Sequence, residues 1–231
     1  MTEVTPLAIA ITTAPRRQPT LKRAIASLRE AGFHEEVHVF AEPGSERLDN
    51  DQRLHLHQGA FKRGCFDNWK WALEWLLVGT TASWLMILQD DSIWQSGAAE
   101  ILRVKMQNRQ NLKTGVISPY TSRVVVEDGF VDGWNECHAG WGFWGALSFC
   151  MQRNSATELL KHSRFAWHAG TRQIDAVVVL SMLELERPNF VHLPSLVDHI
   201  GTTSTIGRGD GCDEDPASGR RGYRFKAKPD A

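Results

Sequence analysis

Two adjacent carboxylates, Asp90 and Asp91, follow directly on the apolar run Trp84-Leu85-Met86-Ile87-Leu88 and a single Gln89. Five core-type residues ending in acids read as a buried strand that delivers charge to a sheet edge, and in a parallel sheet that carboxyl edge is where ligands bind. Neighbouring carboxylates repel, so the pair costs free energy unless a positive group, most economically a divalent cation, lies against it. Such a cation suits a phosphorylated ligand. The competing structural assignment is ordinary: aspartate often ends strands and caps helices, and Ser92 or Ser96 could share that task.

The second half of the chain carries matching chemistry. In Leu193-Pro194-Ser195-Leu196-Val197-Asp198-His199-Ile200-Gly201-Thr202-Thr203-Ser204, a neutral His199 imidazole could complete a carboxylate-rich shell. Gly201 and Ser204 would let backbone and hydroxyl approach a phosphate. Gly140-Trp141-Gly142-Phe143-Trp144-Gly145 spells the dinucleotide-binding glycine pattern only formally. It has bulky tryptophans where the turn needs room, and no crossover helix with a ribose-binding acid follows. Either Trp141 or Trp144 stacks on a sugar or base across a tight loop, or both fill core. His55 and His57 share a strand face without a third nearby ligand and read as surface, not as a zinc site. The Arg208-Gly209-Asp210 triplet reads as chance in a tail. No glycine-lysine phosphate loop and no nucleophile elbow occurs, which leaves the common nucleotidase and hydrolase readings without support.

These residues need elements to hold them. Leu7 to Ile11 reads as a first strand and Thr12 to Arg16 as the polar loop at its carboxyl end. Leu21, Ile25 and Leu28 recur at helical spacing, with Pro19 in the first turn and Gly32 at the stop. Val37 to Phe40 and the alternating Arg53 to His57 follow as strands, the latter more exposed. Asn68 to Val78 places Trp69, Leu73 and Leu76 on one helical face beneath the sheet. After Asp91 come a helix over Gly97 to Asn108 and a short strand over Gly115 to Tyr120. Strands alternating with helices predict an α/β/α sandwich with a mostly parallel sheet. Beyond it, Val124 to Val131 and Gly145 to Met151 read as antiparallel strands separated by the stretch Gly133 to Trp144. Ser155 to Glu158 has capping-box spacing and should open a helix. Ile174 to Leu185 reads as a buried helix and Phe190 to Leu193 as a strand. One domain over 1–206 and a flexible tail over 207–231 are expected.

Composition sets broad limits. With 26 basic and 27 acidic residues among 231, no global field announces a nucleic-acid or membrane partner. The apolar runs are too short to cross a bilayer, and no standard secretion signal stands near the N-terminus. Cys65, Cys137, Cys150 and Cys212 are scattered without a Cys-x-x-Cys pair, which fits a reduced, cytoplasmic setting. The nine tryptophans suit flat surfaces in a binding cleft as well as core.

The order and separation of Thr12-Thr13-x-x-Arg16, Gln89-Asp90-Asp91 and Pro194-Ser195-Leu196 leading to His199-x-Gly201-x-x-Ser204 resemble nucleotide-sugar glycosyltransferases of the GT-A fold, from Leu7 to about Ile206. The resemblance implies a Rossmann-like sandwich with a small antiparallel acceptor-side part. It implies Mn2+ or Mg2+ held by Asp91, with His199 and Asp90 as further ligands, on the diphosphate of a donor sugar, most simply one linked to UDP. Thr12, Thr13 and Arg16 would line the nucleotide pocket, with Glu42 near base or ribose. Gln89 stands where many members carry the first acid. Asp175, opening a helix after Gly170-Thr171-Arg172-Gln173-Ile174, matches the catalytic base of inverting members; its ordinary alternative is a helix cap. More loosely, the chain resembles phage-type enzymes that work beside TET-like oxygenases and glycosylate hydroxymethylcytosine in DNA, which implies a host cytoplasm. Arg220, Arg221, Arg224, Lys226 and Lys228, with Tyr223 and Phe225 between them, either hold a phosphate backbone or form a solvated tail. A glycan-building transferase, a nucleotidyltransferase and a silent binding module are the other functions weighed.

Overall fold

The computed structural model describes residues 5–48, 51–121, 129–138, 145–167 and 173–200. In chain order the elements are β1 (Leu7–Thr13), α1 (Leu21–Glu30), β2 (Val37–Ala41), β3 (Leu54–Gln58), α2 (Cys65–Gly79), β4 (Trp84–Gln89) and β5 (Ser92–Trp94). There follow α3 (Ala98–Arg109), β6 (Val116–Ser118), β7 (Gly133–Cys137), β8 (Ser148–Gln152), α4 (Arg153–Lys161), α5 (Ser163–Trp167), α6 (Ile174–Glu184), β9 (Asn189–Leu193) and β10 (Val197–His199).

Eight strands form one sheet in the order β3-β2-β1-β4-β8-β6-β9-β7, and β10 pairs with β5 in a second, two-stranded sheet. The first four strands of that order are mutually parallel. β8 runs antiparallel between β4 and β6, β9 is parallel to β6, and β7 closes the far edge antiparallel to β9. This is the expected α/β sandwich with antiparallel strands confined to its second half.

Strand alternation divides the core in two. Leu7, Ile9 and Ile11 of β1 join Trp84, Met86 and Leu88 of β4 against α1 and α3. Ala8 and Ala10 join Leu85 and Ile87 against α2, α4 and α6. The two alanines leave room beneath the fully buried Trp69 of α2. Helix α1 ends in a Schellman turn: the Phe33 N–H donates to the Leu28 carbonyl and the Gly32 N–H to the Arg29 carbonyl. Gly32 makes that turn at φ 99°, a left-handed conformation that favours glycine.

Several local expectations are corrected. The stretch from Gly133 contains β7, five residues paired along β9. Ser155 does not cap: α4 opens at Arg153. The Ser155 hydroxyl instead donates to the Thr114 carbonyl at 2.5 Å, and Glu158 accepts a two-pronged pair from Arg187. Tertiary partners outcompete the local cap at both residues. Pro19 precedes the N-cap Thr20 instead of sitting in the first turn of α1. His55 and His57 are not plain surface, since both pack on His38 of β2. Most of the strand expected over 124–131, and the tail, lie outside the described residues. Among the described residues no helix is long and apolar enough to cross a membrane.

Candidate functional site

β4 carries its apolar residues through the centre of the sheet and ends beside Thr12 of β1. The backbone ladder continues one residue further, with the Asp90 N–H donating to the Thr12 carbonyl at 3.2 Å. The chain then turns through Asp91 and leaves as β5. Pairing with β10 sets His199 opposite Ser92, and the Ile200 N–H donates to the Asp91 carbonyl at 3.0 Å. Ser27 of α1 secures this small sheet by accepting from the Trp94 N–H at 3.1 Å.

The two carboxylates have different partners. Arg16 donates from Nε and one terminal nitrogen to Asp90 Oδ1, at 2.9 and 2.6 Å, and the Thr13 hydroxyl donates to Asp90 Oδ2 at 2.6 Å. Asp91 Oδ2 lies 2.9 Å from the same Arg16 nitrogen and 2.9 Å from His199 Nε2. Asp91 Oδ1 is buried with no hydrogen-bond partner among the described residues. Burial works against the charge on Asp91, but the hydrogen bond and charge of His199, together with Arg16, more than offset it and hold this carboxyl below its ordinary range. Burial pushes Asp90 upward against the opposing pull of Arg16. Arg16 itself, desolvated but facing Asp91 and Asp90, is held more firmly protonated than usual.

The remaining candidates divide into those brought near and those placed elsewhere. Thr12 donates to the Leu88 carbonyl at 3.2 Å and so ties β1 to β4. Gln89 donates its backbone N–H to the Leu147 carbonyl, just ahead of β8, at 3.0 Å. Glu42, buried at the end of β2, accepts from the Gly64 N–H at 2.5 Å and thereby fixes the start of α2. Asp175, in the first turn of α6, accepts from the Gly145 N–H at 2.7 Å and from the Ala176 N–H at 3.0 Å. Trp141, Trp144, Gly201 and Ser204 lie outside the described residues.

Cys65 and Tyr120 also face this region, although nothing in their sequence context marks them. Burial pushes the Cys65 thiol up to about 12, with the nearby charges of Asp91 and Asp175 adding to the rise. Cys65 thus stands within electrostatic reach of both acids. Burial, and then Asp91, pushes the Tyr120 hydroxyl up to about 12. Tyr120 also abuts Gly145, where an added Cβ would meet its ring at 2.9 Å. The glycine allows this close approach and aims its N–H at Asp175.

Among the described residues no group of three or more His, Cys, Asp or Glu is arranged to hold a metal ion. What is present is a pair, Asp91 with its free buried oxygen and the His199 imidazole. A carboxylate and an imidazole at a sheet edge suit a divalent cation whose other positions are filled by ligand oxygens and water.

No protein-family profile and no curated protein sequence matches the chain. Its fold is similar to the crystal structure of GalNAc-T7 with UDP, GalNAc and Mn2+, with a TM-score of 0.65 at 10% sequence identity. The match covers 88% of this chain and 46% of the other, so this chain spans about half the length of that protein. The architecture that carries Asp91, His199 and Arg16 is therefore the GT-A fold.

Proposed function

We propose that the protein is a metal-dependent glycosyltransferase that moves a hexose from a nucleoside diphosphate sugar, most simply UDP-linked, to a hydroxyl acceptor. The observation that carries this reading is the meeting of Asp91 and His199, 108 residues apart in sequence, on one carboxylate oxygen beside Arg16 at the end of β4. The GT-A architecture supports it, and the solved neighbour holds UDP, GalNAc and Mn2+.

In this reading Asp91 Oδ1 and His199 would hold Mn2+ or Mg2+, which when bound would offset charge developing on the diphosphate. Asp90 is kept in place by Arg16 and Thr13. Thr12, Thr13 and Arg16 border the nucleotide, Glu42 stands toward base or ribose, and Gly201 and Ser204 approach a phosphate. Trp141 or Trp144 would stack on sugar or base. Asp175 accepts the proton of the acceptor hydroxyl as its oxygen attacks the anomeric carbon. The bond from that carbon to the diphosphate oxygen breaks, and configuration inverts. Two backbone N–H groups hold the Asp175 carboxylate, and its remaining lone pairs suffice for one proton.

The favoured acceptor is 5-hydroxymethylcytosine in DNA. It rests on the resemblance of the Thr12 to Arg16 and Gln89 to Asp91 segments to the phage-type enzymes and on the basic residues from Arg220 to Lys228. Hydroxymethylated DNA, Mn2+ and a panel of nucleotide sugars are incubated with the protein, and the digested nucleosides are weighed by mass spectrometry. A hexosylated cytosine derivative is expected. UDP release with the added hexose on a saccharide acceptor moves the reading to glycan synthesis, and release of pyrophosphate identifies a nucleotidyltransferase.

A further inference from the structure

The carboxylate pair already has a cation. The Arg16 side chain is only 12% exposed and contacts both acids, at 2.6 Å to Asp90 Oδ1 and 2.9 Å to Asp91 Oδ2. Thr13 fills the second oxygen of Asp90, so that acid is fully engaged within the protein. Asp91 Oδ2 is shared by Arg16 and His199, which leaves Oδ1 as the one oxygen of the pair without a partner among the described residues. A divalent ion arriving alone at that oxygen meets a fixed positive charge one carboxylate away, with little water to screen it. A diphosphate arriving with the ion supplies negative charge that offsets this repulsion.

We propose that Arg16 is a resident counter-cation that offsets one of the two negative charges of the carboxylate pair and makes strong binding of a divalent cation at Asp91 conditional on a nucleoside diphosphate. The inference rests on the metal-dependent reading of the same site. Arg16 acts here as a positioning residue: it holds Asp90 away from the ion and sets the charge that the ion meets at Asp91. Its removal leaves two buried carboxylates with a net charge that attracts the bare ion. A purely structural role predicts the opposite, because a disordered pair binds the ion less well.

The test titrates Mn2+ calorimetrically into wild type, Arg16→Met and Arg16→Lys, with and without UDP, after subtraction of Mn2+ uptake by UDP alone. Wild type is expected to bind Mn2+ at least about tenfold more tightly with UDP than without it, and Arg16→Met to bind the bare ion about tenfold more tightly than wild type. Arg16→Lys, which keeps the charge, should stay near wild type. Arg16→Met binding no more tightly than wild type overturns the inference and leaves the metal-dependent reading standing. Should Arg16→Met fail to fold, wild type decides alone: equal Mn2+ affinity with and without UDP overturns the inference. Absence of Mn2+ binding in wild type even with UDP overturns both readings.

Discussion

Asp91 is nearly inaccessible, yet one of its oxygens has no hydrogen-bond partner among the described residues. A buried acceptor left unsatisfied costs about 1–3 kcal/mol, a cost that binding a cation would remove. If Asp91 is the direct ligand, Asp91→Asn lowers metal-dependent UDP release by more than about a hundredfold with an unchanged circular dichroism spectrum; normal turnover would remove the metal assignment. Asp175 sits differently, held by Gly145 and Ala176 backbone N–H groups at the start of a helix. As the proposed general base it would supply about 10²–10⁴ in rate, so Asp175→Ala should keep donor affinity and lose transfer by that factor. Unimpaired transfer would leave Asp175 a helix cap.

At the scale of elements, the loop into β8 and the β2–β3 edge each make a measurable claim. Gly145 has φ 103° and no room for a Cβ beside Tyr120. Gly145→Ala should cost about 1–3 kcal/mol in denaturant unfolding. It should also reduce transfer more than donor binding, because the N–H that orients Asp175 moves with the backbone. At the sheet edge His38, His55 and His57 face the same side and pack with Phe40, Trp71 and Trp75. Burial, and then the neighbouring His55 and His57, lowers His38 to about 4, while Glu36 pulls the other way. A folded value below the unfolded one of about 6.5 means that stability is complete above pH 6.5 and drains away as pH falls toward 4. Urea midpoints should fall across that window, and His38→Phe, which keeps a ring against Trp75, should flatten the fall. An unchanged slope in that variant would assign the acid sensitivity to other groups.

Across the whole molecule, sheet and tail raise separate questions of stability and acceptor binding. Removal of residues 207–231 should leave metal-dependent donor turnover intact and weaken DNA binding, with a shallower dependence on salt; undiminished affinity would free the tail from any part in acceptor binding. What the sequence by itself determined is the local order: uninterrupted apolar runs made β1, β4 and α6 legible, apolar residues recurring every third or fourth position made α1 and α2 legible, and an acid pair after five core residues marked a candidate ligand edge. The short strands β5 and β10 were not legible, because three residues have no periodicity to read and their partners lie about a hundred positions apart. The capping-box spacing at Ser155 misled for a related reason, since Thr114 and Arg187 reach those side chains only in the folded chain. For the two acids, the GT-A resemblance already favoured Asp91 as the direct ligand, but it held no physical reason for the difference. Asp90 and Asp91 are chemically identical neighbours, and only the tertiary structure gives one of them Arg16 and Thr13 on both oxygens and leaves the other, beside His199, with an oxygen to spare.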